Sequence, residues 1–259
     1  MNKNLGFWMS VLWLVVLGTA ALVLPALWPG DPFRPVADPL LSPVAYPPLG
    51  TDALGRDFMS RLVYGSRNTL CAGLLAATMT VLFGLVLGLT SSFSGGWVDR
   101  IILASVNAAL AIPGLLFALL LAASLGPGFG TVILAIGFGL VPGYTRLART
   151  VFQQIRQAEY ITAARSTGTS NLRIVLSHIL PNALRGVASV SALHFSWAIM
   201  GITTLTFLGL SGDPSIPEWG VMLDTGRQYL QIAPRLALLP GLFISATILA
   251  VYRLSEELK

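Results

Sequence analysis

The sequence predicts an all-α fold: a polytopic membrane protein with six transmembrane helices. Three observations carry that reading. Of the 259 residues, 54% are hydrophobic and only 10% charged, with a mean hydropathy of +0.75, whereas a soluble domain carries about 25% charged residues. Charges are absent between Lys3 and Asp31, between Arg67 and Asp99, and between Arg100 and Arg146, and a helix needs about 20 apolar residues to cross the hydrocarbon layer. Residues 146–185 hold Arg146, Arg149, Arg156, Arg165, Arg173 and Arg185 against the single acid Glu159, a net +5 that equals the formal charge of the whole chain. In a soluble protein, a pI of about 9.8 would point to nucleic acid. Confined to one segment between apolar runs, the charge fits the positive-inside rule instead. Membrane lipid is therefore an expected partner and nucleic acid is not.

The elements follow in order. Residues 1–28 contain a first span at 7–28; the apolar region is long for a signal peptide and no small-x-small cleavage site follows, so a retained helix is expected. Residues 29–69 form an external loop, with Pro29-Gly30-Asp31-Pro32 and Pro47-Pro48-Leu49-Gly50 holding its first part irregular. Phe58, Leu62 and Tyr64 beside Arg61 and Arg67 read as a short amphipathic helix on the membrane surface. A core of five spans occupies 70–252, with the second span at 70–92, the third at 101–124 and the fourth at 130–146. Pro113 and Pro142 fall inside the last two and predict kinks, either gate hinges or simple packing bends. The basic segment 147–185 follows, then the fifth span at 186–210, a second external loop at 211–235, the sixth span at 236–252 and a tail at 253–259. Placing the basic segment in the cytoplasm puts both termini there, with ten Lys and Arg inside and six outside, the direction the rule requires.

Within the basic segment, 157–167 reads as a helix and Gly168 as its turn. Ser170 or Asn171 can cap a second helix running to Leu180, and Pro181 suits the first turn of the fifth span. Ala163 and Ala164 are small enough for another protein to approach the backbone closely. Glu159 and the arginines supply directional contacts around them. The plain alternative is a basic loop that only meets anionic lipid.

Glu159-x3-Ala163-Ala164-x3-Gly168 followed by Ile179-Leu180-Pro181 resembles the cytoplasmic loop of ABC-importer permeases. Gly50-Thr51-Asp52-x2-Gly55-Arg56-Asp57-x2-Ser60-Arg61-Leu62-x2-Gly65-x-Arg67 resembles the segment before the second helix of the dipeptide/oligopeptide/nickel permease family. Phe207-Leu208-Gly209-Leu210, Pro217-x-Trp219-Gly220-x-Met222-Leu223 and Pro234-x5-Pro240-Gly241 resemble its last third. The resemblance implies the type I importer permease fold and an inner-membrane location. It also implies a second homologous permease subunit, two ABC ATPase subunits and an external substrate-binding protein as partners. In that family Glu159, Tyr160, Ala163, Ala164, Arg165 and Gly168 would form the helix that couples to the ATPase. Asp52, Gly55, Arg56, Asp57 and Arg61 would form the external loop motif. The family usually ends in Gly-Asp, Arg-Asp and Asp-Pro elements, whereas residues 252–259 read Tyr-Arg-Leu-Ser-Glu-Glu-Leu-Lys.

No Gly-x4-Gly-Lys-[Ser/Thr] phosphate loop occurs, so ATP and Mg are expected on the partner ATPases and no cofactor or metal on this chain. Catalytic residues are not expected either. Gly209-Leu210-Ser211-Gly212 matches the short pattern of intramembrane serine proteases, but both histidines, His178 and His194, precede Ser211, against that family's order. The six spans contain no Asp or Glu, which argues against an ion-coupled carrier or channel. His194, Trp197 and Met200 share spacing on the fifth span and are candidate pathway residues, with helix packing as the alternative. Cys71 lies alone in an apolar run and can form no intrachain disulfide. Asp52, Arg56 and Asp57 are candidates for an ion-paired lock on the loop, against a solvated loop. The expected cargo is a di- or oligopeptide moving along a hydroxyl-lined face (Ser189, Ser191, Ser196, Thr203, Thr204, Thr206), with a nickel or metal–chelator complex as the alternative.

Overall fold

The computed structural model describes residues 3–27 and 30–258. Trp28, Pro29 and Lys259, assigned above to the first span, the first proline motif and the tail, lie outside the described residues. Eleven α-helices are seen among them: α1 (Lys3–Leu27), α2 (Phe58–Ser94), α3 (Gly96–Leu110), α4 (Gly114–Leu125), α5 (Phe129–Gly139), α6 (Val141–Arg156), α7 (Glu159–Ser166), α8 (Asn171–Ile174), α9 (Leu180–Phe207), α10 (Trp219–Arg227) and α11 (Arg235–Glu257). Five stretches among the described residues are long and apolar enough to cross a membrane; the pair α3 and α4, bent by 88°, makes a sixth if it is one broken span and not a re-entrant loop.

α2 is the hub and packs against α1, α3, α5, α6, α9 and α10. Its small residues allow this. A Cβ on Gly84 would lie 2.6 Å from the Tyr144 ring, and one on Gly88 would lie 3.1 Å from the Ala148 methyl, so α6 can approach α2 only because these positions lack side chains. Three buried clusters follow. One gathers Ala72, Ala76, Val132, Ala135, Ile202 and Leu205 at mid-bundle. The second, around Phe58, Leu62, Trp219 and Leu236, lies at the proline-rich end. The third, around Tyr144, Phe152, Ile161, Ile174 and Ile179, lies at the arginine-rich end.

Several boundaries differ from the sequence reading. Residues 58–67 are the first turns of α2, with Phe58, Arg61 and Leu62 buried, instead of a surface helix ahead of a span at 70–92. Asp57 starts the helix early, its carboxylate accepting from the Met59 and Ser60 amides at 3.1 and 3.4 Å. The third span is broken where one helix was expected. Pro113, with ψ 126°, is the N-cap of α4, so the proline ends one helix and starts another instead of merely kinking it. Pro142 sits in the first turn of α6, where its missing amide costs nothing. The fourth span continues to Arg156 as one rod, Phe129–Arg156, so residues 147–156 of the expected basic loop are helix. The second helix of that loop runs into the fifth span. Pro181 has no amide to bond back one turn, and the chain passes it through a π-turn at Val175–Ile179. The loop at 211–235 folds back as α10, and the expected tail is mostly the end of α11.

Candidate functional site

The six arginines of the basic segment divide into two groups. Arg149 donates to Asp99 from Nε at 2.9 Å and from the second guanidinium nitrogen at 2.7 Å. Arg146 reaches Asn107, and Arg156 reaches the Ser92 carbonyl while covering the Phe93 ring. These three hold α6 to α2 and α3. Arg165, Arg173 and Arg185 are exposed.

Beyond Arg156 the chain turns through Gln157 and Ala158 into α7. Ile161, Ile174 and Ile179 are completely buried against Tyr144, Phe152 and Ala183, which seats α7 and α8 as a wedge on the ends of α6 and α9. The outer face is open. Glu159, Tyr160, Ala163 and Arg165 are exposed, and Ala164 is half-buried toward the cluster. Gly168 closes α7 at φ +79°, with the Thr169 amide bonding back to the Ala164 carbonyl at 3.1 Å, a left-handed cap that suits glycine. The structure thus brings all six candidate docking residues onto one small helix and its cap. It adds Leu172 and Leu176, 70% and 56% exposed on the same end. Their spacing of four, which stacks them on one helix face, is the signal the sequence offers for them.

At the proline-rich end Asp52 is buried with two arginines. Its Oδ2 lies 2.7 Å from Arg56 Nε and 3.3 Å from Arg61 Nε. Its Oδ1 accepts from the Leu54 and Arg56 amides at 2.9 and 3.0 Å. Arg61 donates onward to the carbonyls of Pro32 and Ser215, at 3.0 and 3.1 Å, tying the loop to the segment before α10. Gly55 turns the loop at φ +75°; a Cβ there would meet the Ala37 carbonyl at 2.3 Å. Asp57 contributes the cap of α2 described above.

Glu218 is the functional candidate that sequence reasoning missed. It lies in a connection between spans, yet it is completely buried. Its Oε1 accepts from Thr69 on α2 at 2.9 Å. Its Oε2 accepts from Thr206 on α9 at 2.6 Å and from the Gly220 and Val221 amides of α10 at 2.8 and 3.1 Å. Burial pushes its carboxyl above the ordinary glutamate range, against the pull of those four donors. Five residues earlier, the carboxyl of the exposed Asp213 is held low by the Ser215 hydroxyl and amide.

The candidate pathway residues separate. Trp197 and Met200, 40% and 53% exposed, line a cavity of about 300 Å³ with Gly114, Leu115, Gly139 and Thr204, beside the break between α3 and α4. His194 does not reach it. It is buried between the Tyr144 and Trp197 rings, with centroids 5.0 and 4.7 Å away. Its Nδ1 lies 2.9 Å from its own helix's Val190 carbonyl, so it meets α6 by ring packing and not by the hydrogen bond to a neighbouring helix that packing would suggest. The expected hydroxyl-lined face is also corrected: Ser189, Ser196, Thr203 and Thr206 are buried and Ser191 bonds Tyr144, which leaves Thr204, itself half-buried, at the cavity. A helical hydroxyl finds its own carbonyl four residues back and needs no water-filled face.

Comparison with known proteins places these features in a family. Residues 80–256 match the family described as binding-protein-dependent transport system inner membrane component. A di/tripeptide transport system permease protein of Pseudomonas aeruginosa is 35% identical over 99% of this chain and 87% of its own length. A dipeptide transport system permease protein of Alkalihalophilus pseudofirmus is 39% identical over 81% of this chain and 69% of its own. A glutathione transport system permease protein of Pectobacterium atrosepticum is 36% identical over 82% and 70%. Among solved structures, a chain of the inward-facing MetNI methionine ABC transporter superposes with a TM-score of 0.62 at 19% identity, covering 78% of this chain and 97% of that one. The fold is therefore that of a type I importer permease, and the chain belongs to the family of inner membrane components of binding-protein-dependent transport systems.

Proposed function

We propose that this permease is half of the pathway of an ATP-driven importer of di- or oligopeptides. α7 faces the cytoplasm and docks on an ABC ATPase, and the proline-rich end faces outward toward a substrate-binding protein. A second homologous permease closes the pathway, and two ATPase subunits hold the ATP and Mg. The observation that carries the docking role is the construction of α7. Its one buried side chain, Ile161, shares a cluster with Tyr144 and Phe152 of α6, Ile174 of α8 and Ile179 ahead of α9, while Glu159, Tyr160, Ala163 and Arg165 are left to a partner. A surface built that way passes force into the spans that carry it. The cavity beside Trp197 and Met200, on the face where α4, α5 and α9 meet, is the proposed pathway wall, with His194 as packing behind it. Peptide cargo is supported by the relatives named for dipeptides, tripeptides and glutathione. Among the described residues no group of three or more His, Cys, Asp or Glu is placed to hold a metal ion, so a bare ion would find few ligands here.

Two experiments test this. Glu159→Ala and Gly168→Pro should uncouple transport from ATP hydrolysis or release the ATPase while the chain still inserts in the membrane. Normal transport with the ATPase retained in both would refute the docking role. The cognate binding protein, purified with its native ligand, should carry a peptide mixture by mass spectrometry. Stoichiometric nickel or a metal–chelator complex would overturn the cargo assignment.

A further inference from the structure

The proposed outer end of the bundle carries six arginines, and five are engaged within the chain. Arg34 pairs with Asp31, Arg56 and Arg61 with Asp52, Arg227 with Asp224, and Arg235 donates to loop carbonyls at Leu41 and Leu49. Arg67 is exposed and has no ion-pair or hydrogen-bond partner among the described residues. It stands at a definite level. The next residue, Asn68, donates to the Pro217 carbonyl at 2.7 Å, and Tyr64 donates to the Pro25 carbonyl near the end of α1 at 3.0 Å. Arg67 is therefore level with the ends of α1 and α9, where headgroups would meet the bundle.

Directly beneath it an apolar trough of about 400 Å³ runs down the bundle as far as Leu254 in the last turn of α11, walled by α1 and α9 and backed by α2 and α11. Leu70, Cys71 and Leu74 descend from Arg67 on one face of α2, at the spacing that stacks side chains along a helix. Leu22, Phe195 and Leu254 line the rest. A lone cation at the mouth of an apolar slot matches a phosphate joined to a hydrocarbon chain. An arginine there keeps its stem on the apolar wall and its guanidinium in the headgroup layer.

We propose that this trough holds one phospholipid, its phosphate on Arg67 and one acyl chain between α1 and α9. The assembled transporter, purified in mild detergent and stripped of bulk lipid, should retain about one phospholipid per copy of this chain by native mass spectrometry. With added phosphatidylglycerol, Arg67→Gln should weaken retention about fivefold, the factor expected of one arginine at an anionic surface. Gly18→Leu should displace the acyl chain from within. A Cβ at Gly18 meets no atom within 4 Å, so the fold should survive. A photoactivatable phosphatidylglycerol should label the peptide containing Cys71 in the wild type and less in Gly18→Leu. Retention unchanged in both variants would overturn the inference. So would a Cys71 peptide that cross-links to a partner helix and takes no lipid label. Neither readout depends on transport or on the ATPase, so failure here leaves the proposed function standing, and failure there leaves this site standing.

Discussion

Replacing Glu218 tests whether one buried carboxylate holds α10 to the spans. In Glu218→Ala the Gly220 and Val221 amides lose their acceptor in a site closed to water. A buried amide left unpaired costs about 2 kcal/mol, so the pair costs about 4 kcal/mol. For a chain of this size that corresponds to about 8–16 °C in Tm. Glu218→Gln should cost far less. The amide oxygen can take the Oε2 position and keep both amides and Thr206, while its NH2 group faces the Thr69 hydroxyl, which can accept. The two variants also separate by pH. Burial raises the folded carboxyl's pKa, so its contribution is complete at and below the ordinary glutamate range and declines as pH rises through the raised value. The wild type should therefore lose stability relative to Glu218→Gln as the buffer is taken from about pH 5 to pH 8. Thermal melts of the purified complex across that range decide the matter. Equal Tm for wild type and Glu218→Ala, or a Gln variant as damaged as Ala, would refute the reasoning.

Asp52→Ala should cost about 3–5 kcal/mol, because it strands the buried Arg56 and Arg61 without a counter-ion; denaturation of the purified complex measures it. Gly84→Leu should destabilise by at least about 1–3 kcal/mol through collision with Tyr144, and a melt alongside Gly18→Leu, expected near wild type, is the control. Asp99→Ala and Arg149→Ala should each cost about 1.5–3 kcal/mol by removing a doubly bonded pair between α3 and α6, and a double-mutant cycle should return most of that as coupling.

Hydropathy located the apolar stretches, because a span must be apolar over about 20 residues whatever its neighbours. It could not show where helices end once they leave the hydrocarbon. α6 continues through Arg149 and Arg156 because Asp99 and Ser92, distant in sequence, receive those side chains. α2 begins at Phe58 because Asp52 neutralises Arg61 inside the fold. The proposed docking residues are legible as a motif from Glu159 to Gly168. Leu172 and Leu176 were not, since exposure of an apolar residue depends on what packs beneath it. Glu218 read as loop chemistry because its surroundings, Thr69 and Thr206, come from spans far away in the chain. For His194 the sequence left pathway lining and helix packing both open, because the rings that enclose it come from Tyr144 on another helix and from Trp197 one turn away.

The tight crossing of α2 and α6 has a mechanical consequence. Tyr144 and Ala148 rest on Gly84 and Gly88 with no side chain between, so α6 is held at a fulcrum near one end. From there to Gln157 the helix runs about 16 Å, and a rotation of about 5° swings that tip by about 1.4 Å. On the other side of the fulcrum the rod continues without a break into α5, and Leu140, only about 9 Å away, borders the cavity with Trp197 and Gly139. A push on α7 in one direction therefore moves the cavity wall in the other, by a smaller distance and with greater force. The Gly84→Leu variant, by displacing the fulcrum, should alter that ratio as well as the melting temperature.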